Sequence, residues 1–197
     1  MPRPRVTESG TVLDAAARRL ASHGIAGTSV DDVAQEAGVS RATVYRYVGG
    51  KDDIVQAVIG READDVLARV AAAISASTSP HEAIAGAVST ALTAIAGNPV
   101  LARLTSSDLR ETLPFITADS GLLVDRCVST LSNAMRAAPE LAVDDRAVER
   151  AIEEATRFVL THVTTPRRDG SRLSPPDAGT RAASLIAPML SPRGRRQ

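Results

Sequence analysis

Residues 28–51 decide the fold, and they read TSVDDVAQEAGVSRATVYRYVGGK. Thr28-Ser29 offers the N-cap of a short helix whose first turn carries two aspartates. Gly38 can adopt the left-handed backbone that ends this helix, and Ser40 can cap a second helix from residue 41 to about 48. Two short helices joined by a tight, glycine-containing turn are typical of a helix-turn-helix, whose second helix enters the major groove of DNA.

The charge on this segment favours DNA as a partner. Residues 38–51 carry Arg41, Arg46 and Lys51 and no acidic residue, although the formal net charge of the chain is zero. Both tyrosines and the only lysine of the chain also lie here. Phosphates can therefore be neutralised locally by a protein that has no net positive charge.

The side chains of the second helix suggest how DNA is contacted. Val44 and Val48 are four residues apart and should face inward, which turns the other side chains toward other directions, including the groove. Arginines suit guanine edges, threonine suits a thymine methyl group or a polar base edge, and tyrosine hydroxyls suit phosphates. A small alanine lets the backbone approach DNA, and Lys51 adds its charge to the positive end of the next helix. The candidate DNA-binding residues are Thr28, Ser29, Ser40, Arg41, Ala42, Thr43, Tyr45, Arg46, Tyr47 and Lys51.

Some of these residues have a structural alternative. Ser29 and Ser40 can serve as helix caps only, and Tyr45 or Tyr47 can pack against the preceding helix. The two aspartates after Ser29 complement their helix dipole but repel phosphate, so DNA contacts at that end are expected to be weak.

The rest of the chain predicts an all-α protein. Only four of its 197 residues are aromatic, so Ala, Val, Leu and Ile must fill a closely packed helical interior. We expect about nine helices, with domain 1–52 holding a three-helix helix-turn-helix unit and domain 53–197 the remaining helices. The helices are expected near 9–23, 30–37, 41–48, 51–74, 81–96, 99–112, 118–137, 144–164 and 177–190. The later breaks are Gly97-Asn98-Pro99, Pro114, Ala138-Pro139 and the loop from Thr165 to Pro176.

Several functional classes lack support in the sequence. A single cysteine allows no disulfide framework and no cysteine-based metal cluster, and three scattered histidines make a metal site a poor hypothesis. The sequence contains no nucleophile elbow, zinc-protease motif, phosphate-binding glycine loop or dinucleotide fingerprint. It also has no apolar run long enough for a membrane span. We expect a cytoplasmic protein that is not an enzyme, with no catalytic residue, no metal and no cofactor.

The stretch from Val12 to Ile59 resembles the DNA-binding domain of the TetR (tetracycline-repressor-like) family. The likeness rests on residues 28–34, on residues 38–51, and on Lys51-Asp52-Asp53-Ile54 at the spacing the family shows. Two features depart from the family pattern: Val48 stands where phenylalanine is usual, and Gly49-Gly50 makes the following turn unusually flexible. Because valine is smaller than phenylalanine, Val48 fills less of the small domain's core.

The resemblance implies a function. It implies a transcriptional regulator, most simply a repressor, that binds double-stranded operator DNA and is released by a small-molecule effector. It implies a homodimer through the last two long helices, near 144–164 and 177–190, which form a four-helix bundle with their symmetry mates. Candidate effector-pocket residues are Arg103, Asp108, Phe115, Cys127, Asn133, Phe158 and His162. His162 can equally be a core or interface histidine, and Cys127 a small buried hydrophobic residue.

Two other classes stay open from the sequence alone. One is a helical-bundle enzyme without a recognisable motif. The other is an interaction protein with a non-functional helix-turn-helix. Salt-dependent binding of promoter DNA without turnover would separate the regulator from both.

Overall fold

The computed structural model describes residues 8–117, 120–138 and 144–190, and every regular element in these ranges is a helix. This confirms the all-α class. The α-helices are α1 Glu8–His23, α2 Val30–Ala37, α3 Arg41–Tyr47, α4 Lys51–Ser75, α5 Pro80–Gly97, α6 Pro99–Leu104, α7 Leu109–Thr117, α8 Ser120–Ala137, α9 Asp145–Thr164 and α10 Pro175–Ile186; a short 3-10 helix, Ala187–Leu190, follows. No helix among the described residues is long and apolar enough to cross a membrane.

The chain divides into two compact units, each built from two separate segments. The first unit comprises residues 8–63 together with residues 98–115. Its core holds the apolar face of α1, with Val12 and Leu20 fully buried, and adds Val33 from α2 and Val44 from α3. On α1, the buried residues recur at helical spacing, so the pattern of apolar residues predicts which side of the helix faces the core.

The second unit comprises residues 64–97 and the described residues between 116 and 190. Its core is formed by α5, α8, α9, α10 and the later part of α4, and most of its buried side chains are Ala, Val, Leu and Ile. Helices α5 and α10 pack closely, and Gly179 lies at their point of contact. A Cβ at this glycine would overlap the backbone carbonyl of Ala85, so only glycine permits the approach.

The observed units differ from the predicted division at residue 52. Ile54, Val55 and Val58 of α4 are buried in the first unit's core, together with Val100 and Leu104 of α6. At the start of α6, the Asn98 side-chain amide donates to the buried Glu62 carboxylate across 2.6 Å. Residues 98–115 therefore complete the core of the first unit. This packing joins segments that are far apart in the chain, and neither composition nor hydrophobic periodicity predicts it.

Two predicted helix boundaries need correction. The predicted helix at 99–112 is two helices, α6 and α7, separated by residues 105–108. Pro114, predicted as a break, lies inside α7, where the helix gives up one main-chain hydrogen bond at the proline. Residues 118 and 119 of the predicted helix 118–137, and Pro139 of a predicted break, lie outside the described residues.

Helix α10 begins two residues before the predicted 177. Pro175 and Pro176 occupy its first turn, where the missing N–H groups have no partner within the helix in any case. The Ser174 side chain accepts a hydrogen bond from the Asp177 N–H and caps the helix.

Candidate nucleic-acid interface

Helix α2 is held at both ends by the residues the sequence indicated. The Ser29 hydroxyl accepts from the Asp32 N–H at 3.2 Å, and the Asp32 carboxylate accepts from the Ser29 N–H at 2.9 Å, which forms a capping box. Hydrogen bonds from the Ser29 side chain and backbone lower the pKa of Asp32. At the other end Gly38 adopts a left-handed conformation with a φ of 68°.

Helix α3 starts at its own serine cap. The Ser40 hydroxyl accepts from the Thr43 N–H at 3.1 Å and also lies 2.9 Å from the Thr43 hydroxyl. Val44 is the helix's buried residue and contributes to the first unit's core. Because one valine anchors this short helix, the remaining faces are available to a partner.

The exposed face of α3 carries two arginine–tyrosine pairs. The Arg41 guanidinium lies over the Tyr45 ring, 5.5 Å from its centroid, and the Arg46 guanidinium lies over the Tyr47 ring at 4.7 Å. Tyr45 is 47% exposed and Tyr47 41% exposed. Neither tyrosine is a buried core residue. A flat cationic and aromatic surface of this kind suits phosphates and base edges.

Arg41 also has an acidic neighbour that the sequence analysis did not pair with it. The Arg41 guanidinium lies 3.1 Å from the Asp31 carboxylate of α2 and 3.3 Å from the Tyr45 hydroxyl. The hydrogen bond with Tyr45, followed by the charge of Asp31, raises the pKa of Arg41. The ion pair is exposed on both sides. Asp31 lies in the first turn of α2 and Arg41 in the first turn of α3, so the pair joins the N-terminal ends of the two helices.

The structure separates the predicted contact residues into accessible and engaged groups. Arg41, Ala42, Tyr45, Arg46 and Tyr47 are exposed, and Thr43 and Lys51 are half-buried. Ser29 and Ser40 are exposed, and their hydroxyls cap α2 and α3.

Thr28 is not placed to contact DNA. It is 4% exposed, and its hydroxyl donates to the Gly24 carbonyl at 2.7 Å. The residue closes the turn between α1 and α2 and leaves the cap of α2 to Ser29, which corrects the expectation that it contacts phosphate.

The N-terminus of α4 carries its own carboxylate. Lys51 is the first residue of the helix, and the Asp53 carboxylate accepts from the Gly50 N–H at 2.8 Å. Gly49 has a φ of 112°, a conformation that favours glycine. The Gly49-Gly50 pair therefore forms a turn that a residue with a side chain would strain. The motif Gly-Lys-Asp-Asp matches the part of a capping box in which a carboxylate reaches back to the N-cap N–H, a signal the sequence analysis overlooked.

Residues 103 and 108 support the helix-turn-helix instead of lining a pocket. The Asp108 carboxylate accepts from the Ile25 N–H at 2.9 Å and pairs with Arg103 at 3.4 Å. Arg103 also donates to the Ser22 carbonyl at the end of α1. Gly24 has a φ of 72°, and a Cβ there would overlap the Asp108 carboxylate. These bonds fix the turn between α1 and α2, which corrects the expectation that Arg103 and Asp108 belong to an effector pocket.

The other predicted pocket residues belong to different units of the chain. Phe115 packs against the first unit's core, whereas Cys127, Phe158 and His162 belong to the second unit. Asn133 is exposed on α8 and accepts from Arg136. Arg103, Asp108 and Phe115 thus belong to the first unit, and the other four candidates belong to the second.

Cys127 is buried in the second unit's core, which agrees with its interpretation as a small buried hydrophobic residue. Burial raises the pKa of its thiol, and a hydrogen bond with the Thr156 side chain acts in the opposite direction. The Phe158 and His162 rings stack with centroids 6.3 Å apart on the last turns of α9.

Taken together, α1 to α3 define a helix-turn-helix nucleic-acid-binding unit with an exposed cationic recognition helix. Comparison with protein families agrees along most of the chain. Residues 12–58 match the model described as bacterial regulatory proteins, tetR family, and residues 79–192 match the model described as bacterial tetracyclin repressor, C-terminal domain. The chain belongs to the TetR family of bacterial transcriptional regulators, and it is a DNA-binding regulator of that kind.

Individual relatives cover nearly the whole chain. The regulator AlkX of Mycobacterium tuberculosis is 27% identical over 190 residues, which span 94% of this chain and 84% of AlkX. The crystal structure of the TetR-family repressor AlkX from a Dietzia strain, implicated in biodegradation of n-alkanes, has a TM-score of 0.76 at 21% identity, covering 95% of this chain and 97% of that one. FadR of Bacillus subtilis in complex with stearoyl-CoA has a TM-score of 0.58 at 21% identity, covering 90% and 96%. These two structures share the fold.

Proposed function

We propose that this protein is a homodimeric repressor that places α3 in the major groove of operator DNA and leaves the operator when a small molecule binds its second unit. The observation that carries the proposal is the exposed Arg41, Tyr45, Arg46 and Tyr47 surface on a helix anchored by one buried valine. Such a helix gains little by packing and is well suited to enter a groove.

The proposed contacts follow from side-chain chemistry. Arg41 and Arg46 read guanine edges through two hydrogen bonds each, while the hydroxyls of Tyr45 and Tyr47 donate to phosphates. Ala42 allows the backbone near the DNA, and Thr43 reaches a base edge. Lys51 binds a phosphate beside the N-terminus of α4. Ser29 and Ser40 help from their cap positions, where they lie at helix N-termini.

Dimerisation supplies the second recognition helix. One α3 reaches only a half-site, and two copies must span about 34 Å, roughly one turn of DNA. We place the interface on α9 and α10, where Leu185 is 58% exposed and the apolar residues Leu160 and Val163 remain half-exposed. These side chains are suited to a four-helix bundle with a second copy.

Effector binding is proposed for the second unit. The AlkX repressor is implicated in biodegradation of n-alkanes, and the FadR crystal structure is a complex with stearoyl-CoA, which supports regulation by a small molecule in proteins of this fold. Helix α4 supplies Ile54 and Val58 to the first core and Val70 and Ile74 to the second. A shift of α4 on effector binding would change the separation of the two recognition helices.

An electrophoretic mobility-shift series tests the DNA-binding surface. Lys51→Ala removes a phosphate contact, so we expect weaker binding to all sequences and a salt slope smaller by about one. Arg46→Ala removes a base contact and should also relax the base preference, at a cost of about 1–3 kcal/mol on the specific site.

Arg69→Ala is the matched control, because Arg69 is an exposed arginine of the second unit, and its removal lowers net charge equally. The control should bind like the parent protein. Unchanged binding in both Lys51→Ala and Arg46→Ala would favour an interaction protein with a non-functional helix-turn-helix.

A further inference from the structure

The Arg46–Tyr47 pair on α3 is a contact that helix geometry does not supply by itself. The Arg46 guanidinium lies over the Tyr47 ring, 4.7 Å from its centroid. Consecutive residues of a helix point about 100° apart and do not face each other, whereas residues four apart share a face. Arg41 and Tyr45 have that four-residue spacing, so their contact follows from the helix. For Arg46, the long side chain must turn back over the next residue.

The backbone around Tyr47 restricts the position of its ring. Tyr47 is the last residue of α3, and the N–H groups of Val48 and Gly49 both donate to the Val44 carbonyl, at 2.9 and 3.3 Å. Val44 is fully buried, and Val48 packs against the first unit's core. An aromatic side chain on a helix has few favourable rotamers. The ring is therefore a defined platform at the end of the recognition helix, and it is 41% exposed.

A ring in this place changes what Arg46 can contribute to DNA binding. An arginine side chain has many rotamers, and fixing one of them on binding costs entropy. Contact with an aromatic face removes part of that freedom before DNA arrives. The N–H donors of a guanidinium lie in its plane, so a ring against its face leaves them available for the O6 and N7 atoms of guanine. An arginine held in this way is suited to a base edge, where two hydrogen bonds must align together.

We propose that Tyr47 is a positioning residue for base recognition, and that its ring holds the Arg46 guanidinium in the orientation that reads a guanine. The inference rests on the proposed function, because it specifies how the base contact assigned to Arg46 is oriented. The ring and the hydroxyl of Tyr47 then have separate roles. The ring acts on sequence preference through Arg46, and the hydroxyl acts through its phosphate contact on the affinity for every sequence.

Tyr47→Phe and Tyr47→Leu separate these two roles. The probes are a duplex that the parent protein selects from a random-sequence pool and an unselected duplex of equal length, compared by fluorescence anisotropy. Tyr47→Phe removes the hydroxyl, so the affinities for both duplexes should fall by the same factor. Tyr47→Leu also removes the ring, so the ratio of selected to unselected affinity should fall about three- to tenfold. Neither variant changes a charge, so the salt slope should remain that of the parent protein.

The base pair at which preference is lost identifies the arginine involved. Each guanine of the selected duplex is replaced in turn, and the position that Arg46→Ala no longer discriminates is the Arg46 contact. Tyr47→Leu should lose discrimination at that position, and it should have no further effect there in the Arg46→Ala background. Tyr45→Leu is the matched control, since it removes the ring that contacts Arg41 on the same helix and should leave that position unchanged.

A second measurement needs no DNA. A guanidinium over an aromatic ring gives proton NMR signals that are shifted by the ring current. The Arg46 Nε–H signal, assigned from its absence in Arg46→Ala, should be shifted in the parent protein. It should keep this position in Tyr47→Phe and move toward that of an ordinary exposed arginine in Tyr47→Leu. The parent protein and Tyr47→Phe test the contact even where Tyr47→Leu does not fold, which thermal unfolding shows.

The outcomes separate this proposal from the proposed function. The role of Tyr47 is overturned by an unshifted Arg46 signal in the parent protein, by equal affinity ratios in Tyr47→Phe and Tyr47→Leu, or by lost preference at other positions only. A parent protein that selects a duplex keeps its regulatory function under each of these results. A parent protein that selects no duplex, or an Arg46→Ala variant that keeps every preference, would refute the proposed base contact and the role of Tyr47 with it.

Discussion

Arg41 shows how a single side chain can serve two partners. In the DNA-free protein its guanidinium is paired with Asp31 and lies over Tyr45. Because the pair is exposed on both sides, it contributes little to stability and can be exchanged for a stronger bond to a phosphate or a guanine. In the proposed complex, Asp31 therefore affects binding chiefly by competing with DNA for Arg41.

Asp31→Asn should raise the affinity for non-specific duplex DNA about two- to fivefold, because Arg41 loses its competitor and one phosphate-repelling charge disappears. The ratio of operator to non-specific affinity should fall. Fluorescence anisotropy with operator and random duplexes over a salt series measures both quantities.

Glu36→Gln is the control for net charge. Glu36 also lies on α2 but pairs with Arg18 of α1 at 2.9 Å. If this variant and Asp31→Asn tighten binding equally, the effect comes from overall charge and the competition argument is wrong.

At the scale of the element, α5 and α10 show how close packing depends on a missing side chain. Gly179 of α10 faces the Ala85 backbone, whereas Gly86 of α5 has open space where its Cβ would lie. The same substitution at these two glycines should therefore have opposite effects.

Gly179→Ala should destabilise the protein by about 1–3 kcal/mol, since the added methyl group must push two helix backbones apart. Gly86→Ala should stabilise it by about 1 kcal/mol through helix propensity. Thermal unfolding followed by circular dichroism measures both, with a shift of about 2–4 °C for each kcal/mol. A neutral Gly179→Ala would show that the helices do not approach as described.

At the scale of the whole molecule, the proposed function requires two copies, because one recognition helix contacts only a half-site. The exposed Leu185 of α10 is suited to an interface, and a second exposed leucine, Leu113, lies on α7 in the first unit. The two leucines permit a matched comparison, because the same change of polarity can be made on the proposed interface and away from it.

Leu185→Lys should weaken dimerisation at least about tenfold by placing a charge in an apolar interface, and operator affinity should fall with it. Leu113→Lys should leave the dimer intact. Sedimentation velocity over a concentration series gives the dimer dissociation constant, and mobility shifts give the affinity for DNA. Equal dimerisation in both variants would place the interface elsewhere.

Much of the DNA-binding unit could be predicted because its signals are local. The Ser29 and Ser40 caps, the left-handed Gly38 and the inward-facing Val44 each follow from a few neighbouring residues. Helix position decides which side chains of α3 are exposed, so the recognition surface followed from the same pattern. The effector pocket has no comparable local signal, and its predicted residues proved to be distributed over both units.

The amino-acid sequence by itself determined the helical class, the helix-turn-helix and the cationic face of α3, because caps, periodicity and charge act over a few residues. Only the tertiary structure decided that residues 98–115 complete the N-terminal unit and that Asp108 holds the turn after α1. It also decided that Gly179 of α10 lies against the backbone of Ala85 in α5. These features join residues that are far apart in the chain, and such pairings are set by packing.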